Sequence, residues 1–189
     1  MTALKYLAGY PDALQQQVRE LIAADRLGPW LERRYAELHT VRNDRQLYDY
    51  TQALKERYLR QSVPLSKVIY DSRLQVLKHA LGTHTTVSRV QGSRLKAARE
   101  IRIATLFRDA PAEFLEMIAV HELAHLKHRD HDKPFYQLCA HMDPDYHQHE
   151  FDLRLYLTQL ELEAATKRAS GAAPGSDETD AQAASGARP

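Results

Sequence analysis

Cysteine is nearly missing from this chain. Its 189 residues hold one, Cys139, so no internal disulfide staples the fold, and a reducing, cytoplasmic home is the expectation. Cys139 itself reads as a small core residue on a helix. Long apolar runs are missing too. None approaches the roughly 20 residues that span a bilayer, and the opening Met1-Thr-Ala-Leu-Lys-Tyr-Leu-Ala-Gly-Tyr-Pro-Asp12 has no apolar signal core. No membrane role is expected. With 43% hydrophobic and 27% charged residues, the composition is that of an ordinary soluble globular protein. The length suits one domain with a small helical appendage.

An excess of either charge is also missing from the total, which is +1. That balance hides a polarity. Residues 1–110 carry 19 Lys/Arg against 11 Asp/Glu, a net of +8, and residues 111–189 carry 7 against 14, a net of −7. The densest basic stretch is 89–108, where Arg89, Arg94, Lys96, Arg99, Arg102 and Arg108 face Glu100 alone. A solvated hairpin face accounts for such a stretch. Nucleic acid is the partner it admits if it binds one.

What is present is histidine in a pattern. His121-Glu122-Leu123-Ala124-His125 lies within Val120-His-Glu-Leu-Ala-His-Leu-Lys-His-Arg-Asp-His131. Residues four apart share a helix face, so His121 and His125 can present two imidazole nitrogens to one point. Imidazole is an ordinary Zn²⁺ ligand. Glu122 is placed to reach a metal-bound water rather than the metal, as the general base does in the H-E-x-x-H zinc hydrolases.

The chain around the motif reads as its scaffold. Residues 11–25, Trp30 to Leu38 and Asp44 to Leu59 are expected as helices, separated first by Gly28-Pro29. They would form a helical N-terminal segment, 1–61. Lys67 to Asp71 reads as a strand, 73–81 is ambiguous, His84 to Val90 has a β-rich core, and Gln91-Gly92-Ser93 is turn-like. Over 100–107, Ile101, Ile103, Thr105 and Phe107 alternate with their neighbours. These segments predict a small antiparallel sheet. Asp109-Ala-Pro111 starts a helix expected to reach about Arg129. Phe114 and Ile118 stand seven residues before His121 and His125, so the ligand face continues an apolar face. Asp132 and Pro134 start a helix over Phe135 to His141, and Asp143-Pro144 start another to about Ala165. The body of the domain is then 62–168. Residues 169–189, rich in Ala, Gly, Ser and acids without periodicity, read as a disordered tail.

A catalytic zinc has three protein ligands and an open position. His131, ten residues after His121, has the metzincin spacing. The glycine that turns the metzincin chain is absent, with His128 in its place. His131 closes the site if the helix ends in time. His128, His141, His147, His149 and Glu150 are the alternatives.

From Val120 to Tyr136 the chain resembles the YgjP-like metallopeptidase domain, a minimal zincin related to SprT-like proteases. The shared pattern is H-E-L-x-H, a further His, and an aromatic pair, here Phe135-Tyr136. The family's Arg-Trp-Gly-Ser-type segment is replaced by Thr83-His-Thr-Thr-Val-Ser-Arg-Val-Gln-Gly-Ser93. The resemblance implies an α+β, zincin-like fold with a small sheet packed on the active-site helix. It implies Zn²⁺ on His121, His125 and His131, Glu122 as catalytic base, and a peptide or protein substrate. In that scheme Glu122 takes a proton from water, the hydroxide attacks a peptide carbonyl, and strand 100–107 holds the substrate by edge addition. The oxyanion donor stays open among Tyr136, His128, His141, Tyr146 and His147. Two other readings fit the same residues. One is a non-catalytic zinc-binding module with four ligands, and the other is a nucleic-acid-associated protease.

Overall fold

The computed structural model describes residues 4–74 and 99–171. A short 3-10 turn, Lys5–Leu7, leads into α1 (Asp12–Ala23), α2 (Leu27–Arg34) and α3 (Asp44–Tyr58). Strands β1 (Leu65–Asp71) and β2 (Arg99–Ala104) follow, then a 3-10 turn at Thr105–Arg108. The chain closes with α4 (Ala112–Ala124), α5 (Lys133–Met142) and α6 (Tyr146–Gly171). Among the described residues, no helix is long and apolar enough to cross a membrane.

Helix α4 is the centre. Phe114, Leu115, Met117, Ile118, Ala119, Val120, Leu123 and Ala124 are all buried, so the helix is apolar around most of its circumference, with Glu113, Glu116 and Glu122 half-buried, as a largely enclosed helix must be. It packs against α3, β2, α5 and α6. Each fully buried Leu or Phe there contributes about 1.5–3 kcal/mol relative to exposure. The N-terminal layer packs onto α6 through Lys5–Leu7 and α2, while α3 lies against β1. Gly28 and Pro29 do not break the chain. They sit in the first turn of α2, where proline needs no amide donor. The helix accordingly begins earlier than expected and stops at Arg34. Glycine has a local reason at position 28, since a Cβ there would come within 3.0 Å of the Gln159 side chain on α6.

The α+β class holds, but the sheet direction expected from the sequence does not. β1 and β2 run parallel, with Leu65 opposite Arg99 and Asp71 opposite Ala104. Alternation reports which face of a strand is buried and is blind to direction. Direction follows from the connection. Parallel neighbours need a crossover of a dozen or more residues, and 72–98 is long enough. The expected strand 84–90, the turn 91–93 and the Thr83–Ser93 segment lie outside the described residues. Strand 100–107 is shorter than expected. It ends at Ala104, and the 3-10 turn drops Phe107, 1% exposed, into the core. Of the basic stretch 89–108, half lies outside the described residues. Within them, Arg102 is tied to Asp71 and Glu100 at 2.7 and 2.6 Å, and Arg108 to Asp109 at 3.5 Å.

The last helix extends past the expected end near Ala165. α6 reaches Gly171, so the first three residues assigned to the tail are helical, and 172–189 lie outside the described residues.

Candidate metal centre

The site is built by the way α4 stops. A helix continuing to Arg129 would carry the chain away from His121 and His125. The helix ends instead at Ala124. The amide of Leu126 bonds the Leu123 carbonyl, and those of Lys127 and His128 both bond the Ala124 carbonyl, all at 3.0 Å. This tightened last turn reverses the chain. Among the described non-glycine residues only Asp25 has a positive φ, so the reversal requires no left-handed residue. That removes the need for the metzincin glycine, and the histidine at position 128 costs no strain. Asp132 then caps α5 by accepting from the Phe135 amide at 2.9 Å. Pro134 sits in the first turn.

The reversal brings His131 back over the helix end. Nε2 of His131 lies 3.2 Å from Nε2 of His121 and 3.1 Å from that of His125, and the first two are 3.3 Å apart. Tetrahedral bonds of about 2.0–2.1 Å to one ion set neighbouring nitrogens about 3.3 Å apart, so this triangle fits a divalent metal. Phe135, fully buried, closes one side of it. Its ring centroid is 5.1, 4.6 and 4.7 Å from those of His121, His125 and His131. His121 is 5% exposed, whereas His125 and His131 keep partial access to solvent. The Phe135 ring thus walls one side of the triangle.

The outer nitrogens agree with that use. Nδ1 of His125 donates to the His128 carbonyl at 2.9 Å. A carbonyl only accepts, so the proton of that imidazole is on Nδ1 and the Nε2 lone pair faces the triangle. Nδ1 of His121 is 2.7 Å from the Tyr146 hydroxyl. Burial raises that phenol far above its usual range, so Tyr146 stays protonated. Glu122 keeps part of its surface open yet sits deep among protein atoms, and that desolvation pushes its carboxyl up to about 7. A carboxylate of this basicity is matched to take a proton near neutral pH from a water whose own acidity has been raised.

The other candidates are engaged elsewhere. His141 meets the edge of the Tyr58 ring at 5.7 Å, and His147 lies against Tyr136 at 5.4 Å. His149 pairs with Asp143 at 2.9 Å, and Glu150 with Arg154 at 2.7 Å. His128 lends its carbonyl and not its ring. Among the described residues, His121, His125 and His131 form the one His/Cys/Asp/Glu group with metal-ligand spacing. Tyr136 borders the site, with its ring 6.1 Å from His131. Cys139 is buried, with its thiol pushed up to about 12, chiefly by desolvation. It is inert packing beside Tyr146. The Tyr146 bond to His121 carries no signal in the sequence, because the partners stand 25 residues apart.

Comparison with known proteins agrees with this geometry. The profile of the YgjP-like, metallopeptidase domain family matches residues 15–156, which takes in the N-terminal helices as well as the metal centre. A protein of Escherichia coli (strain K12) named UTP pyrophosphatase is 59% identical over 162 residues, which is 86% of this chain and 97% of that protein. No solved structure matches. With an α+β fold, a histidine triad and a profile match over most of its length, the chain belongs to the YgjP-like metallopeptidase domain family.

Proposed function

We propose that the chain is a metal-dependent hydrolase of UTP that cleaves the α–β phosphoanhydride to give UMP and pyrophosphate. The observation that carries this reading is the 59% identity, spread over nearly all of the relative named UTP pyrophosphatase. The chain's own residues support it. The segment that returns His131 to the site carries exposed Lys127 and Arg129, and Lys133 follows in the first turn of α5, with Asp130 and Asp132 between them; cations beside a metal centre attract a polyanionic substrate.

His121, His125 and His131 would hold the metal, and three neutral imidazoles would favour zinc. A divalent cation bound there supplies Lewis acidity, which makes nearby water more acidic and offsets phosphate charge. Glu122 accepts the proton of the attacking water. The water oxygen forms a bond to the α-phosphorus as the bond to the bridging oxygen breaks. The electron pair leaves with pyrophosphate, and Glu122 is then positioned to return its proton. Phe135 keeps water off one side of the triad, and Tyr136 borders the entrance.

Peptide hydrolysis is the second reading. The family's description and the H-E-x-x-H arrangement favour it, and the same base and ligands serve an attack on a carbonyl. The two readings separate in one experiment. The metal-loaded protein is given UTP, with pyrophosphate and orthophosphate measured separately, and in parallel an unstructured protein substrate. Pyrophosphate and UMP in equal amounts, abolished by a chelator, are expected. Cleaved protein with intact UTP would replace the first reading by the second.

A further inference from the structure

Tyr146 opens α6 and is fully buried. Its hydroxyl lies 2.7 Å from Nδ1 of His121, and the two rings are nearly parallel, 17° apart. Cys139, also fully buried, lies beside it. Water reaches neither side of this hydroxyl. A phenol can donate its proton or accept on its lone pairs, and an imidazole that would bind a metal through Nε2 carries its proton on Nδ1.

We propose that Tyr146 is a positioning residue of the metal centre. Its oxygen accepts from Nδ1–H of His121, and this holds His121 in the tautomer whose Nε2 lone pair faces His125 and His131. The opposite tautomer would put a hydrogen on Nε2, where a metal held by this triangle would need the lone pair. His125 is fixed in the same sense by a different device, the His128 carbonyl. The two helix-borne ligands are thus both held from behind, one by backbone and one by a phenol from α6. The assignment also takes Tyr146 out of the set of groups available to donate to substrate. It rests on the reading that the triad holds a metal.

The test is metal affinity of the full chain, measured by competition with a chelator for Zn²⁺ or Co²⁺. Tyr146→Phe keeps the ring and removes the hydroxyl. Its affinity is expected to fall 10–100-fold, the range found when such supporting bonds to a ligand are removed. A Tyr146→Phe protein that binds metal as tightly as the wild type overturns the inference. A wild type that binds no metal overturns the metal reading beneath it, so the two failures are distinct. Nitrogen-15 NMR of the histidine rings in the metal-free wild type gives the same answer without any variant. Nδ1–H at His121 is expected, and a predominant Nε2–H form overturns the proposal.

Discussion

The protein keeps histidines in two kinds of enclosed place, and their surroundings set them opposite tasks. At the end of α4, three Nε2 atoms meet at 3.1–3.3 Å over the Phe135 ring. Just ahead of and within α6, one histidine, His149, puts Nδ1 2.9 Å from the Asp143 carboxylate. Protonating imidazoles that face one another sets like charges together, which repel strongly at that distance. Their convergence is favourable around a shared cation. Protonating an imidazole beside a carboxylate makes a charge-assisted hydrogen bond. The first arrangement is a cage of lone pairs that selects a metal ion, and the second is a pair that selects a proton. Histidine content says nothing about which is which. The partner behind and in front of each ring decides it.

The largest expected effect tests whether the cage does chemistry. Glu122→Gln keeps the size and removes the basic oxygen. Hydrolysis should fall by about 10²–10⁴, the usual contribution of a positioned base, with metal content unchanged. The measurement is the initial rate on UTP beside metal analysis of the same sample. Full activity in the Gln variant would remove Glu122 from the reaction. Next comes the cage itself. His131→Ala takes away one corner of the triangle, and metal affinity should drop by more than the 10–100-fold that a supporting partner accounts for. His149→Ala should leave metal content untouched. If both variants lost metal equally, the two places would not be different in kind.

Much of the cage is legible in the sequence, because an i, i+4 pair needs only a helix to converge. The cap at Asp132 with Pro134 is legible for the same local reason, and so is the apolar face that runs from Phe114 and Ile118 to the ligands. The reversal that returns His131 is not legible. It uses a tightened last turn instead of a glycine, and backbone hydrogen bonds leave no residue signature. The direction of β1 and β2 escapes too, since burial patterns are identical either way. Sequence spacing leaves His149 and Glu150 open as third ligands. What removes them is Asp143 on the one and Arg154 on the other, partners that only packing reveals. Tyr146 is legible as a polar aromatic near the site, but its role behind His121 depends on a contact between separate helices.

The proton-selecting pair gives the third effect. His149 and Asp143 are 15% and 6% exposed at the side chain. His149→Ala leaves the Asp143 carboxylate with the Asp145 amide at 3.1 Å as its remaining described partner. Loss of such a bond to a buried charge costs about 1–3 kcal/mol, to be read from chemical denaturation of the metal-loaded protein. An unchanged midpoint would make the pair incidental.

The smallest effect is the most diagnostic of the contrast, because it concerns the proton directly. His149 is held above its ordinary value, first by the hydrogen bond to Asp143, with the charges of Asp143, Asp145 and Glu113 adding to it and burial opposing it. A group whose folded value is raised binds its proton more tightly in the folded state. Its contribution to stability is complete below the ordinary histidine value near 6.5 and is lost as pH rises through the higher folded value. Melting temperature of the metal-loaded wild type should therefore decline from pH 6 upward more steeply than that of Asp143→Asn, which removes the carboxylate and keeps the shape. Loading the metal keeps the three caged imidazoles from titrating, so the difference between the two curves reports His149 together with Glu116, whose carboxyl Asp143 also raises. Parallel curves would show that the proton is not held there, and the distinction between a pair that selects a proton and a cage that selects a metal would lose its first half.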